Sequence, residues 1–599
     1  MSRLPDIPAN SALARLFRSP AVQPHVTWFS LPGGQTLYAP GDPADQLFFV
    51  RTGRLAAFRR EEGQEPHFLG VIRPGEPVGE MSLVAHAPHS AEVVALRDSE
   101  IFAVPAQVFF EACDADASVM TELARLMILR TRQAVSRGAV GEPSVFGFAP
   151  AGRPGPLRLL VESIAEEIGR LGYTVEVVGS EASGAPTEWF SEVERTHDFV
   201  LYVAESEERG WRLTVTRQVD RLFLVGRGDR RPPAASRPVV GALQQQRLVD
   251  LILVQTPDCR FPRGSEAWLD AVAATRVFHV RRQDVAGVQR LARVLTGQAV
   301  GVVLSGGGAR AYAHVGAIHA LRARNVPIDF VCGVSMGGII GAGVAMGWDD
   351  VELDRRIRAA FVESSPVDDI ALPILAMTRG VKVTERLQEH FGEADIADLW
   401  LPFFCISANL TAGAYHLHRR GPLWRALRAS SALPGLIPPA TEGDDVLVDG
   451  AVMKNFPADV MRAGHLGVIV GVDVSGTRNI TAEDVARPES AWRWLRSGQW
   501  RKGPPIVSLL MRAATVSTGR DLAAAREATD VLVLPDTGRV EIRDWSAYEP
   551  AVTAGWQATM EALDKLDRPV QDLRRRRSLK EQAAEDRQSG AAVAEGQAG

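Results

Sequence analysis

Cysteine is scarce in this chain, which contains only four such residues among 599. They are far apart, at positions 113, 259, 332 and 405. Because no two are closely spaced, the sequence has neither a zinc-binding cysteine pattern nor a secreted disulfide framework. A reducing, cytoplasmic location follows, and the sequence predicts neither a metal nor another cofactor.

A large excess of one charge is also missing. The 67 Lys and Arg residues are nearly balanced by 72 Asp and Glu residues, which leaves a formal net charge of −5. Nucleic-acid-binding domains usually present a strongly basic surface. The balance therefore argues against nucleic acid as a partner.

Long hydrophobic runs are nearly absent as well. Residues 1–20 alternate charged and short apolar segments, unlike a signal peptide. The stretch from Phe330 to Trp348 is uncharged and long enough to span a bilayer, but it is rich in glycine and contains no leucine. We therefore expect a strand, a turn and a helix there. The chain as a whole is expected to be cytoplasmic, with peripheral contact at the inner membrane face.

Apolar residues make up 46% and charged residues 23% of the chain, as in an ordinary globular protein. Its length predicts several domains. We predict five segments: a β-roll with closing helices (20–137), a Gly- and Pro-rich linker (138–156), a small α/β domain (157–298), a larger α/β hydrolase domain (299–567) and a disordered tail (568–599).

Local patterns support this division. Apolar runs at 47–50 and 55–58 flank Gly53 and predict a β-hairpin, and residues 106–137 have the apolar spacing of one or two helices. The third segment alternates helix-like and strand-like stretches, which is typical of an α/β domain. Its strands are predicted at 174–178, 199–203, 221–225 and 249–254.

A glycine-rich loop, Ser-Gly-Gly-Gly-Ala-Arg at 305–310, follows a short apolar strand and precedes a helical pattern. Glycines leave backbone N–H groups accessible and the helix adds a positive dipole, so this geometry favours an anion. A dinucleotide-binding turn is one alternative. Gly306, Gly308 and Ala311 fit G-x-G-x-x-A, and Asp329 lies near the position of a ribose-binding acid.

A second motif, at 333–337, matches G-x-S-x-G with Ser335 at its centre. It follows a predicted strand at 328–332 and precedes a predicted helix at 338–346, which is the context of a nucleophile elbow. A third motif, Asp-Gly-Ala at 449–451, ends an apolar strand. Taken separately, the G-x-S-x-G motif is also compatible with a tight glycine turn, and Asp-Gly is most often an ordinary turn.

The glycine loop, G-x-S-x-G and Asp-Gly-Ala, in this order, resemble the patatin-like phospholipases, in which a serine and an aspartate form a catalytic dyad. Segments 429–435 and 455–459 extend the resemblance over most of the larger α/β domain. The resemblance implies that Ser335 is the nucleophile and Asp449 the general base. Gly333 and Gly337 would shape the elbow.

The same resemblance implies an oxyanion hole in the glycine loop. Its donors would be the backbone N–H groups of Gly307 and Gly308, with Gly306 and Ala309 beside them. Arg310 would brace the loop. The family usually has glycine after this arginine, whereas this chain has alanine.

A histidine base is the chemical alternative to the dyad. An unperturbed aspartate, with a pKa of about 3.9, matches a serine proton poorly, whereas a histidine has a pKa of about 6.5. Burial would have to raise the pKa of Asp449. The candidate histidines of this domain are His314, His319, His416, His418 and His465. Among them only His465 follows the acid, as the usual order of a Ser-Asp-His triad requires.

The first segment resembles a cyclic nucleotide-binding domain, through residues 37–45, 79–83 and 88–91. In that family the glutamate of a Gly-Glu pair holds the ribose, and an arginine after a proline pairs with the cyclic phosphate. Here Gly79 and Glu80 are present, but His89 replaces the arginine. Because a neutral imidazole lacks the charged fork of arginine, we expect weak or no cyclic nucleotide binding.

The order of the three domains is similar to that of the soluble part of neuropathy target esterase and its bacterial relatives. This resemblance implies a serine esterase that hydrolyses lysophospholipids or related acyl esters, with a phospholipid or lysophospholipid as its partner. The alternative is a nucleotide-responsive regulatory or lipid-binding protein without hydrolysis. The apolar run at 370–377 would line or cover an acyl site, or else lie in the core.

Overall fold

The structure is a computed structural model, and three sheet-containing units follow one another along the chain. It describes residues 12–59, 67–136, 143–152, 157–205, 209–232, 249–364, 369–371, 376–465, 467–475, 519–538 and 540–582.

The first unit is an all-antiparallel roll closed by helices. Its strands are β1 (Thr27–Leu31), β2 (Thr36–Tyr38), β3 (Gln46–Thr52), β4 (Leu55–Arg59), β5 (His67–Ile72), β6 (Pro77–Val78), β7 (Glu92–Ala95) and β8 (Ser99–Pro105). They form two sheets, in the orders β1-β8-β3-β6 and β2-β7-β4-β5. Its helices are α1 (Ala12–Arg18), α2 (Glu80–Val84), α3 (Ala106–Ala115) and α4 (Ala117–Ser136). The helices pack on the roll through a shared core that includes Phe17, Phe49 and Phe109.

The predicted hairpin between β3 and β4 is wrong, because the two strands belong to different sheets. The chain crosses from one sheet to the other at Gly53, which has a φ of +93°. A Cβ atom there would lie 2.3 Å from Ser99 Oγ. Glycine is therefore required by the crossing itself and does not mark a hairpin turn.

The second unit is a six-stranded parallel sheet in the order β10-β11-β9-β12-β13-β14, with helices on both faces. The strands are β9 (Val145–Pro150), β10 (Val175–Val178), β11 (Phe199–Val203), β12 (Arg221–Arg227), β13 (Val249–Gln255) and β14 (Arg276–Arg281). The helices are α5 (Leu157–Arg170), α6 (Thr187–Thr196), α7 (Arg209–Gln218), α8 (Ser265–Val272) and α9 (Val285–Thr296). Strands form at all four predicted positions.

The prediction of a linker at 138–156 is wrong for the part that the structure describes. Residues Val145–Pro150 form β9, which lies between β11 and β12 and is buried throughout. The glycine of this strand, Gly147, faces Val215 and Val219, where a Cβ atom would be within 3.1 Å of their side chains. One of the glycines that suggested a linker is therefore a buried strand residue that allows helix α7 to pack closely on the sheet.

The third unit is a mixed sheet in the order β19-β20-β17-β16-β15-β21-β22, with β18 paired to β17. Its strands are β15 (Val300–Leu304), β16 (Phe330–Val334), β17 (Phe403–Asn409), β18 (Ala414–His418), β19 (Ala440–Glu442), β20 (Asp445–Asp449), β21 (Val468–Val472) and β22 (Val531–Val533). Its helices are α10 (Ala313–Ala323), α11 (Met336–Ala345), α12 (Asp350–Ile357), α13 (Val381–Phe391), α14 (Leu423–Ser430), α15 (Ala458–Gly464), α16 (Gly519–Glu527) and α17 (Tyr548–Asp564).

The uncharged stretch at 330–348 forms the strand, turn and helix expected from its sequence. Strand β16 and helix α11 are buried along their whole lengths, with Ser335 between them. Glycines let this short helix approach the sheet closely, which explains the glycine content. Among the described residues, no helix is long and apolar enough to cross a bilayer.

The order of the strands brings the sequence motifs to one edge of the third sheet. Strands β15, β16 and β17 are parallel, so the glycine loop after β15 and Ser335 after β16 follow neighbouring carboxyl ends. Strand β20 is antiparallel to β17. Its last residue, Asp449, lies opposite Ser407, next to the last β16–β17 pair, Val334 with Ile406. Val334, at the end of β16, and Asp449, at the end of β20, thus pair with consecutive residues of β17.

Two buried ion pairs join the roll to the second unit. Arg54 binds Asp220, whose carboxylate also accepts hydrogen bonds from the backbone N–H groups of Ser144 and Val145 at 3.0 and 3.1 Å. Arg97 binds Glu194, with side chains that are only 7% and 11% exposed. These contacts fix the roll to the start of β9 and to α6 in the second unit, whose parallel sheet is the central sheet of the chain.

The prediction of a disordered tail at 568–599 is wrong for residues 568–582. Tyr173 Oη donates to the carbonyl of Arg576 over 2.8 Å, and the N–H of Leu579 donates to Asp198 Oδ1 over 2.6 Å. Ser578 is buried. The basic segment thus returns to pack on the second unit, and residues 583–599 lie outside the described residues.

Candidate active site

Ser335 lies on the sharp turn between β16 and α11. Its backbone has φ 54° and ψ −128°, a left-handed conformation that a non-glycine residue rarely adopts. The flanking glycines permit the turn: a Cβ atom on Gly333 would lie 2.5 Å from the carbonyl carbon of Gly337. A Cβ atom on Gly337 would lie 2.4 Å from the carbonyl oxygen of Ser305. The geometry is that of a nucleophile elbow.

Ser335 and Asp449 are in direct contact. Ser335 Oγ donates to Asp449 Oδ2 over 2.6 Å. The other carboxylate oxygen, Oδ1, accepts the backbone N–H of Ala451 over 2.9 Å, which holds the carboxylate plane. The two residues that the sequence predicted as a dyad are therefore brought together without an intervening side chain.

Burial changes the acidity of Asp449, which is 1% exposed. Loss of hydration raises the pKa of its carboxyl group to about 6, although the hydrogen bonds from Ser335 and Ala451 oppose the increase. This value is close to the pKa of an ordinary histidine. The poor match between an aspartate and a serine proton, noted from the sequence, is largely removed by the fold.

The elbow is held from its backbone side by a second serine. The N–H of Ser335 donates to Ser430 Oγ over 2.9 Å, and Ser430 Oγ donates to the carbonyl of Ile406 over 2.7 Å. Ser430 is the last residue of α14, within the segment 429–435 that carries part of the family resemblance. Sequence reasoning did not assign this residue a role.

In the glycine loop, two of the predicted oxyanion donors are already engaged. The N–H of Gly306 donates to the carbonyl of Asn455 over 3.2 Å, and the N–H of Ala309 donates to the carbonyl of Ile542 over 2.8 Å. Within the described part of the chain, no such partner engages the N–H groups of Gly307 and Gly308. The prediction of donors at Gly306 and Ala309 is therefore wrong for this geometry.

Arg310, the predicted brace of the loop, is buried and bonds to a segment that is distant in sequence. Its Nε donates to the carbonyl of Val540 over 2.8 Å. Gly308, with φ +57°, packs so closely on this segment that a Cβ atom would lie 2.2 Å from the carbonyl oxygen of Ile542. No sequence motif marks residues 540–542, and only their place in the fold reveals the contact.

None of the candidate histidines lies between the serine and the acid, whose contact is direct. His314 and His465 are buried, and their Nε2 atoms lie 2.8 Å from the carbonyl of Ser305 and 3.1 Å from that of Val468. Burial lowers the pKa of each to about 4. His418 is close to Ser407, and its pKa falls to about 3 through burial and the neighbouring His416.

His319 and His416 lie elsewhere, beside carboxylates. The Nε2 atom of His319 is 3.7 Å from Asp350, and that of His416 is 3.5 Å from Glu442. Neither pair includes Ser335 or Asp449. The contacts of the described residues therefore give no support to the triad alternative.

The structure also argues against the dinucleotide alternative, because the expected ribose-binding residue, Asp329, is already occupied by other contacts. Asp329 is fully buried, and its carboxylate forms a double hydrogen bond with Arg293 at 2.6 and 2.9 Å. It also accepts the N–H of Val300 over 3.0 Å. Asp329 thus ties α9 to the start of β15 and β16 and is not available to a ribose.

In the roll, His89 fills part of the predicted nucleotide site. Its ring is buried and stacks on Tyr38, with ring centroids 3.6 Å apart, and it packs against Gly79. Burial lowers the pKa of His89, and Asp42 and Asp45 oppose this only in part. Glu80 is buried at the start of α2. The three predicted residues lie together, with a neutral imidazole in place of the guanidinium.

Comparisons with known families agree with the first and third units. Residues 302–462 match the patatin-like phospholipase family, and residues 28–116 match the cyclic nucleotide-binding domain family. A crystal structure of Thermus thermophilus catabolite activator protein is 26% identical, covers 26% of this chain and 66% of that chain, and has a TM-score of 0.19. A score this low adds nothing to the family match.

Similar proteins extend over nearly the whole chain. An uncharacterized NTE family protein from Mycobacterium tuberculosis is 32% identical, over 89% of this chain and 91% of its own length. Patatin-like phospholipase domain-containing protein 6 from Mus musculus is 26% identical, over 89% of this chain and 44% of its own length. This chain thus carries a patatin-like phospholipase domain, which makes it a hydrolase of the phospholipase and esterase class, and it belongs to the NTE family.

Proposed function

We propose that this protein hydrolyses lysophospholipids or related monoacyl esters, with Ser335 as nucleophile and Asp449 as general base. The observation that carries the proposal is the 2.6 Å hydrogen bond from Ser335 Oγ to Asp449 Oδ2. Ser335 lies on a strained turn from which its side chain projects away from the backbone. A binding protein has no need of this strained arrangement. The raised pKa of the buried carboxyl group suits a proton acceptor.

The acylation step follows from these contacts. Asp449 Oδ2 takes the proton of Ser335 Oγ as that oxygen bonds to the acyl carbonyl carbon of the substrate. Negative charge develops on the carbonyl oxygen, and the N–H groups of Gly307 and Gly308 stabilise it. The tetrahedral intermediate then collapses. The bond to the glycerol oxygen breaks, that oxygen takes the proton from Asp449, and the acyl group stays on Ser335.

Deacylation repeats the same steps with water. Asp449 accepts a proton from a water molecule whose oxygen attacks the acyl carbonyl, and the same two N–H groups stabilise the oxyanion. When the bond to Ser335 Oγ breaks, Asp449 returns the proton to that oxygen. The product is a free fatty acid and the enzyme regains its starting state.

A lipid surface as the source of substrate is supported by apolar side chains near the site. Leu410 follows β17 at the edge where Ser335 lies, and Tyr415 is on the returning strand; they are 52% and 44% exposed. Ile542, whose carbonyl binds the glycine loop, is 46% exposed. Such side chains favour peripheral binding to a membrane. The centre of the apolar run at 370–377 lies outside the described residues, and Ile370 is exposed.

Labelling with a fluorophosphonate probe tests the nucleophile. The full chain should be labelled and should release fatty acid from lysophosphatidylcholine, whereas Ser335→Ala should show neither, with activity reduced by about 10⁴-fold or more. Ser364→Ala is the matched control and should retain both, because Ser364 Oγ bonds to the carbonyls of Ala359 and Ala360 and to Arg386 Nε, and contacts neither Ser335 nor Asp449. Labelling of the Ser335→Ala protein at another serine, with hydrolysis intact, would overturn the assignment.

Histidine variants separate the dyad from a triad. His465→Gln and His416→Gln should retain most of the activity, because neither ring contacts Ser335 or Asp449. Circular dichroism checks that each variant is folded. A folded variant as inactive as Ser335→Ala would show that a histidine is the base.

Co-sedimentation with phosphatidylcholine vesicles containing lysophospholipid tests the membrane part of the proposal. The wild-type chain should sediment with the vesicles, and Leu410→Asp should reduce the bound fraction without loss of activity on a water-soluble ester. Equal sedimentation of both proteins, or no gain in rate above the micelle concentration, would contradict it.

A further inference from the structure

Three groups that can bind a metal meet beside the strand that carries Asp449. They are His416 and His418 on β18, and Glu442 on β19. Candidate ligand atoms of all three residues lie within 4.8 Å of one another. His416 Nε2 and Glu442 Oε2 are 3.5 Å apart. The dyad uses none of these side chains.

The local sequence explains how the two histidines come together. Residues two apart on a strand project from the same face, so His416 and His418 are neighbours, with ring centroids 4.5 Å apart. Glu442 is far from them in sequence and ends β19, which pairs with β20 through a tight hairpin. Only the packing of the two hairpins, β17–β18 and β19–β20, places this carboxylate against His416.

One of the histidines is already oriented by a neighbour. Nε2 of the buried His418 lies 2.8 Å from Ser407 Oγ. Metal-bound histidines usually make such a hydrogen bond through the ring nitrogen that does not bind the metal, and it fixes the ring. In the tautomer in which Nε2 carries the proton, Nδ1 keeps the lone pair that coordination requires.

The donor set and spacing suit zinc. Two imidazoles and one carboxylate are ligands that zinc prefers, at about 2.0 to 2.2 Å. In a tetrahedron with those bond lengths, neighbouring ligand atoms are about 3.3 Å apart, which small side-chain rotations can reach from the present spacing. The His416 and Glu442 side chains are 33% and 62% exposed, so an ion has an entry path from solvent.

We propose that His416, His418 and Glu442 form a site for one divalent ion of the zinc class, completed by a water molecule. The ion would join β18 to β19, the strands outside β17 and β20. Ser407, which contacts His418, lies opposite Asp449 in the sheet, so the ion would stiffen the strand pair that positions the acid. Four scattered cysteines gave no sign of this site, because its ligands are histidines and a distant glutamate.

Metal titration of the full chain tests the proposal. Protein freed of metal with a chelator is titrated with Zn²⁺ against a chromophoric chelator, and with Co²⁺ followed by visible absorption. One equivalent should bind at micromolar concentration or below, with a tetrahedral Co²⁺ spectrum and a higher melting temperature. His416→Gln and Glu442→Gln remove one ligand each from solvent-reachable positions and should weaken binding by at least about tenfold.

Two further variants serve as controls. His197→Gln changes a histidine that faces a single carboxylate, Glu176, at 3.7 Å and should bind Zn²⁺ as the wild type does. Ser335→Ala should also retain the ion, because the site is separate from the dyad. The proposal is overturned if the wild type binds no ion saturably, if the two ligand variants bind as tightly as the wild type, or if Ser335→Ala alone loses it.

Discussion

The backbone N–H of Ser335 points to Ser430 Oγ, 2.9 Å away, and this hydroxyl in turn donates to the carbonyl of Ile406. The end of α14 is thereby tied both to the elbow and to β17. Since Asp449 pairs with the next residue of β17, Ser407, one hydroxyl helps to fix the distance between Ser335 and Asp449.

Ser430→Ala should lower kcat by about tenfold and leave KM nearly unchanged, because a buried N–H left without a partner costs about 1 to 3 kcal/mol and loosens the turn. Steady-state kinetics on a soluble ester measures both constants. Ser431→Ala is the matched control, because Ser431 Oγ bonds only to carbonyls of its own helix. Equal kcat for Ser430→Ala and the wild type would show that Ser430 has no positioning role.

The pH dependence of hydrolysis should report the ionisation of Asp449. Burial raises the pKa of this carboxyl group to about 6, and only the ionised form accepts a proton. The ratio kcat/KM should therefore be constant above about pH 7 and fall about tenfold per pH unit well below pH 6. A profile that stays flat to pH 5, with the fold intact, would contradict this assignment.

Asp449→Asn should abolish activity and yet stabilise the protein at neutral pH. The folded pKa of about 6 exceeds the ordinary 3.8, so the native state holds its proton more tightly and stability falls as pH rises between these values. The ionised carboxylate therefore costs about 2 to 3 kcal/mol at pH 8, which the neutral amide avoids.

Urea unfolding at two pH values measures that effect. The free energy of unfolding of Asp449→Asn should exceed that of the wild type at pH 8, and the difference should largely disappear near pH 4. An equal or lower stability at pH 8 would mean that the amide loses contacts worth more than the charge.

Removal of the buried cation at the roll interface should release the roll. Arg54→Met leaves the carboxylate of Asp220 buried without its charged partner, a change that costs about 3 to 5 kcal/mol in comparable sites. Limited proteolysis should then cut between the roll and the central sheet faster than in the wild type.

Arg51→Met is the matched control for that experiment. Arg51 pairs with Glu100 inside the roll, and both side chains are partly exposed, at 24% and 32%. Its loss should change the proteolysis rate little, because solvent screens such a pair. Equal rates for Arg54→Met and Arg51→Met would show that the interface pair does not hold the roll.

Cyclic AMP should bind the full chain at most weakly at pH 7.5. The cyclic phosphate needs a charged partner, and burial keeps His89 neutral by lowering its pKa below 6.5, so any affinity should rise only at more acidic pH. Isothermal titration should show a gain of at least about tenfold for His89→Arg. His86→Arg adds the same charge at an exposed neighbouring position and should give no gain; micromolar binding by the wild type would contradict the prediction.

The sequence by itself determined the local parts of the site. Glycines at 333 and 337 are the residues that can make the elbow, because any Cβ atom there would meet backbone within 2.6 Å. The strand, turn and helix at 330–345 follow from that pattern, and so did the loop after β15. The elbow and the glycine loop depend on residues that are adjacent in the chain, so the sequence pattern predicts them.

Tertiary structure alone decided what those parts could do. The sheet order buries Asp449 beside Ser335, and this burial, which no local pattern encodes, raises the pKa of its carboxyl group. Ala309 ceases to be an oxyanion donor because Ile542, distant in sequence, takes its N–H.

The errors made from the sequence have the same cause. The glycine and proline content around β9 predicted a linker, and the basic residues near Arg576 predicted a disordered tail. Both segments are ordered by contacts with distant parts of the chain. Local preference selects among helix, strand and turn, whereas burial against distant strands sets which elements pair and which charges are paired. The sequence therefore predicted the motifs, whereas only the fold set the contacts of their residues and the pKa of Asp449.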